Sequence, residues 1–128
     1  MRLRHTILYV ENVADSLSFF TRAFGFQQKM LHESGDYGEL DTGTTILSFS
    51  SISLMQTLGK SPGRPDPKQP VFEIALETDD VAAAVNQALA AGAHPVRDVE
   101  QMPWGQTIAY VSDPNGFLIE ICSPVVQA

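Results

Sequence analysis

The chain has 128 residues, of which 44% are hydrophobic, with a formal net charge of −7 and a single cysteine, Cys122. A chain in the single-domain range of roughly 100–200 residues buries enough surface to fold without a staple. Its acidic balance offers no basic stripe for nucleic-acid phosphates or anionic membranes, and one thiol excludes both an internal disulfide and a Cys-x-x-Cys metal site.

The first apolar run, within MRLRHTILYVEN, stops at Glu11. It is too short for a signal-peptide core of roughly 7–15 residues, and no later run approaches the roughly 18 apolar residues of a membrane span. A cytoplasmic protein with no nucleic-acid or membrane partner is expected.

From His5 the pattern alternates, with His5, Ile7 and Tyr9 opposing Thr6, Leu8 and Val10, as a strand requires. Asn12 is a good helix N-cap with Asp15 at N3, and Val13, Leu17, Phe20 and Phe24 follow on one helical face until Gly25 ends it. Strands are expected at about 27–32, 37–41 and 45–50, the last two joined by the turn Asp41-Thr-Gly-Thr. Leu58 to Pro70 then holds four prolines and two glycines in thirteen residues, which forbids a regular element. It reads as a connector, or as a flap over a cleft.

The pattern then repeats. A strand-like run around Glu73, with Phe72, Ile74 and Leu76 as its apolar set, leads to the cap Asp80. The stripe Val81, Val85 and Leu89 follows, and the stop Gly92. Further strands are expected at about 94–99, 106–112 and 117–122, the last two joined by Asp113-Pro-Asn-Gly with its hairpin signal Asn115-Gly116. Val13 and Leu17 match Val81 and Val85 at an offset of 68, and the two turns match at an offset of 72. One β-α-β-β-β unit is therefore present twice. The expected fold is α+β, with two paired βαβββ modules forming a curved, cup-like mixed sheet whose helices cover the outer face. The whole chain, 1–128, is expected to be one such domain: a first module at about 1–57, a linker at 58–70 and a second module at about 71–128.

Those offsets make His5 the repeat-mate of Glu73, and Ser48 the repeat-mate of Glu120. All four are expected mid-strand on the face away from the helix, pointing into the cup. A mid-strand Glu120 between Leu118 and Cys122 invites a ligand, because a buried unpaired carboxylate is costly. An imidazole and two carboxylates suit a divalent ion such as Zn, Ni, Mn or Fe. The competing reading is that this face is open to water, where Glu and His cost nothing. His32 and His94 are expected on the surface, and Cys122 as an inert thiol. Lys60, Arg64 and Lys68 fall in the solvated linker.

The opening MRLRHTILYVENVADSLSFFTRAFGF and the ending WGQTIAYVSDPNGFLIEI together resemble the vicinal oxygen chelate superfamily, which holds glyoxalases, extradiol dioxygenases and bleomycin-resistance proteins. The likeness runs from Leu3 to Cys122. It implies a paired-module fold, a homodimer and a divalent metal in each cup. Glyoxalase I takes its ligands in the order His, Glu, His, Glu. Here His5 fits the first and Glu120 the fourth, while the second falls on Ser48 and the third on Glu73. Extradiol dioxygenases use His, His, Glu, and Glu73 departs from that order too. The set His5, Glu73 and Glu120 leaves open positions, the pattern of a catalytic site. Glu120 or Glu73 would then move a proton. An enzyme of lyase, isomerase or dioxygenase type is expected, though not glyoxalase I proper. The alternative is a binding protein that sequesters a cationic aromatic drug, with Glu39 among the acids supplying charge, Trp104 and Tyr37 stacking on the ligand, and Ser48 lining the site.

Overall fold

The computed structural model describes residues 1–125; the last three residues of the expected second module lie outside them. Two compact units divide the chain, Met1–Gly63 and the residues from Arg64 onward. In order, the first contains β1 (His5–Val10), α1 (Val13–Phe24), β2 (Gln27–Leu31), β3 (Tyr37–Asp41), β4 (Ile46–Ser51) and α2 (Ile52–Thr57). The second contains β5 (Ile74–Glu77), α3 (Val81–Ala90), β6 (His94–Gln101), β7 (Thr107–Ser112) and β8 (Leu118–Cys122). Their sheets share one topology, β1-β4-β3-β2 and β5-β8-β7-β6. In each, the strand before the helix runs parallel to the last strand and the rest are antiparallel. This is an α+β fold built of two βαβββ units. No helix among the described residues is long and apolar enough to cross a membrane.

In the first unit the helix forms where its caps dictate. Asn12 is extended, its side chain accepts from the Asp15 N–H, and Gly25 closes the helix in the left-handed region at φ 76°. The buried face carries Val13, Leu17, Phe19, Phe20 and Ala23; Phe24 is only half-buried. Phe20 packs edge-on against Phe19 at 5.4 Å and tilted against Phe49 of β4 at 5.2 Å. Gly38 lets the helix approach β3, since a Cβ there would lie 2.7 Å from Leu17 Cδ1 and 3.0 Å from Val13 Cγ1. Leu8 and Val10 point under the helix, leaving His5, Ile7 and Tyr9 on the other face.

Sequence patterning does not anticipate α2. Ser51 ends β4 and also caps this helix, its hydroxyl accepting from the Leu54 N–H while donating to Asp36. At six residues the helix is too short to display a helical period in the sequence.

In the second unit Asp80 caps α3 by accepting from the Ala83 N–H. Val81 and Ala88 are its fully buried side chains, while Val85 and Leu89 are partly covered. The strand β6 runs to Gln101, exposed throughout and bulged near Pro95 and Arg97, as suits an edge strand carrying a proline. The expected apolar set of β5 needs correction. Phe72 precedes the strand and is 48% exposed, because the ladder to β8 begins only at Ile74 opposite Ile119. The turn Asp113–Gly116 is held by Asp113, whose carboxylate accepts from the Gly116 and Phe117 N–H groups and from the Asn115 side chain.

Candidate functional site

Strand pairing fixes which side chains meet on the helix-free face of each unit. Ile7 of β1 lies opposite Ser48 of β4, and Ala75 of β5 lies opposite Glu120 of β8. The offsets of 68 and 72 are thus the register of the fold. Glu39 of β3 faces Ser48, and Tyr110 of β7 faces Glu120. Ser48 and Glu120 are mid-strand as expected. The other pair is not: His5 is the first residue of β1 and Glu73 stands one residue before β5.

In the first unit, four of the expected residues meet. Ser48 is 0% exposed, and its Oγ lies 3.3 Å from His5 Nδ1 and 3.0 Å from the Tyr37 hydroxyl. The Tyr37 hydroxyl also donates to Glu39 Oε2 at 2.6 Å, and that oxygen is 3.8 Å from His5 Nδ1. Burial, then the hydrogen bond to Glu39, pushes the Tyr37 hydroxyl above its ordinary pKa, so it remains a donor. The Tyr37 hydroxyl is therefore tied to the sheet. The His5 side chain remains 32% exposed, so the imidazole keeps an open side.

In the second unit Glu73 and Glu120 are neighbours. The bond to Glu120 is the main cause that raises the Glu73 pKa, followed by burial and by the Glu120 charge. The Tyr110 hydroxyl donates to Glu120 Oε2 at 3.1 Å; burial, then this bond, pushes Tyr110 up to about 12. Glu120 therefore accepts from the Tyr110 hydroxyl and has Glu73 beside it. Tyr110 was not singled out from sequence, although its place opposite Glu120 follows from the β7–β8 turn. Cys122 is buried, and burial with the nearby Glu120 charge raises its pKa, which leaves it a poor nucleophile.

The remaining residues lie apart from these clusters. Trp104 occupies the turn Met102–Gly105, is 57% exposed, and donates its indole N–H to Gln106 Oε1 at 2.8 Å. Lys60 is not a free cation, because its ammonium donates to the Tyr9 hydroxyl at 3.0 Å and sits over the Tyr9 ring. His32 and His94 are exposed. A cleft of about 480 Å³ between Pro65–Lys68 and the Asp113–Gly116 turn is lined by none of the clustered residues.

The donors suit a divalent ion chemically. Glu73 and Glu120 offer neighbouring carboxyl oxygens of the kind a divalent ion takes, and the His5 hydrogen bond uses Nδ1.

A sequence model of the glyoxalase/bleomycin resistance protein/dioxygenase superfamily matches residues 2–121. A lactoylglutathione lyase of Neisseria meningitidis is 35% identical over 94% of this chain and 88% of that protein. A probable lactoylglutathione lyase of Vibrio parahaemolyticus is 29% identical over the same shares. Among solved structures, a glyoxalase-related enzyme from Fulvimarina pelagi superposes with a TM-score of 0.82 at 20% identity, covering 96% of this chain and 88% of the other. TioX from Micromonospora sp. ML1 gives 0.78 at 21% identity, covering 96% and 98%.

Proposed function

The chain belongs to the glyoxalase/bleomycin resistance protein/dioxygenase superfamily, and from that membership we propose a lyase or isomerase acting on a small substrate with two adjacent oxygens. His5, Glu73 and Glu120 are its metal ligands, in one chain or across a homodimer. A divalent ion held by them supplies Lewis acidity to a substrate oxygen. The chain's own work is proton transfer: a Glu73 oxygen takes a proton from the substrate carbon and returns it to the neighbouring atom, while Tyr110 keeps Glu120 oriented.

The observation that carries this reading is Glu120 of β8 bonded to the Tyr110 hydroxyl, with Glu73 as its neighbour. The lyase names of the relatives support the reaction class. The substrate of those relatives is not carried over, because the second glyoxalase I position is Ser48, whose buried hydroxyl is taken up by His5 and Tyr37. The test is incubation of the metal-loaded protein with methylglyoxal and glutathione, following thioester formation. The expected result is turnover at background. Turnover like that of a lactoylglutathione lyase overturns the distinction from glyoxalase I.

A second reading, ligand capture without chemistry, draws on Trp104, whose indole is exposed while its N–H is already satisfied. Micromolar binding of a cationic aromatic drug, quenching Trp104 fluorescence, by a protein that takes up no metal would favour it.

A further inference from the structure

We propose that Ser48, Tyr37 and Glu39 form a one-directional donor chain that holds His5 as its Nδ1–H tautomer and presents the Nε2 lone pair on the open face. The position that has lost its carboxylate thus becomes part of the apparatus that positions the imidazole.

The argument is proton accounting. Glu39 is an acceptor only, so the single Tyr37 proton goes to it across 2.6 Å. With that proton committed, the Tyr37 oxygen is left as an acceptor, and Ser48 lies 3.0 Å away. Ser48 is 0% exposed and has no water to turn to, so its proton is directed at Tyr37. The Ser48 oxygen then accepts from His5 Nδ1 at 3.3 Å. Reversing the chain leaves the Tyr37 oxygen without a donor and turns the bare Nδ1 lone pair toward a carboxylate oxygen 3.8 Å away. The anionic end sets the direction. A histidine ligand whose other ring nitrogen donates into a carboxylate-terminated network is oriented and made a stronger base. Ser48, Tyr37 and Glu39 are positioning residues, acting through His5.

The use of Nε2 as a ligand rests on the function proposed above, but the tautomer does not. The test is therefore made on chelator-treated protein labelled with ¹⁵N-histidine. Long-range proton–nitrogen spectra are recorded well above the ordinary histidine pKa of about 6.5. The chain has three histidines, and His5→Ala identifies the His5 signals by their loss. The expected wild-type result is a protonated Nδ1 and a bare Nε2. Tyr37→Phe, which removes one oxygen, and Glu39→Gln, which removes the anion, should each move His5 toward the Nε2–H form. A wild-type Nε2–H tautomer, or a Tyr37→Phe protein that keeps Nδ1–H unchanged, overturns the proposal. If the tautomer is as stated but the protein binds no metal, the functional proposal fails and this one stands.

Discussion

Ser48 and Glu120 occupy the same place in two copies of one strand arrangement, each opposite a polar residue on the neighbouring antiparallel strand and each hydrogen-bonded to a tyrosine hydroxyl. Duplication preserved the position and divergence changed the chemistry. At 48 the position carries a buried hydroxyl between His5 and Tyr37; at 120 it carries a carboxylate that accepts from Tyr110.

The Glu73–Glu120 pair has a pH signature. A Glu73 pKa raised above its ordinary 4.5 means that the folded chain holds a proton the unfolded chain releases. Stability from this group is complete below that ordinary value and falls as pH rises through the raised one. Glu73→Gln cannot ionise. In metal-free melts the variant should match the wild type at about pH 4 and exceed it by no more than a few degrees at about pH 8, since Glu73 is exposed and partly screened. An unchanged difference between the two melts across that range contradicts the assignment.

Gly38 is required by close packing. In Gly38→Ala the new methyl meets Leu17 and Val13, and Leu17 is fully buried with little room to yield. Overpacking of this kind costs about 1–3 kcal/mol. Urea unfolding should show that loss with an unchanged m-value.

Asp113 closes the β7–β8 turn with three accepted hydrogen bonds. Asp113→Ala leaves the Gly116 and Phe117 N–H groups without that partner, at about 1–3 kcal/mol. Because this turn sets the register that puts Tyr110 opposite Glu120, the substitution should also weaken metal binding. Denaturation and metal titration of the variant check this.

Much of the fold was legible because local signals agree with it. Asn12 and Gly25 bracket α1, Asp80 caps α3, and the offsets of 68 and 72 between the repeats turn out to be strand registers. Less was legible where a property depends on a partner strand. Glu73 falls just outside β5 because pairing to β8 starts at Ile74. Tyr110, between Ala109 and Val111, reads as ordinary strand until its hairpin partner is known. The role of Ser48 emerges only when Tyr37 and His5 are seen to bond to it. The helix α2 is a single short element whose cap, Ser51, also completes a strand.

The most direct measurement is metal content by elemental analysis of protein purified without chelator, alongside His5→Ala and Glu120→Gln. The account predicts about one divalent ion per chain in the wild type and its loss, at least tenfold in affinity, in both variants. Metal retained at full stoichiometry when His5 and Glu120 are each removed, or a wild type that takes up none from Zn, Ni, Mn or Fe solutions, contradicts it.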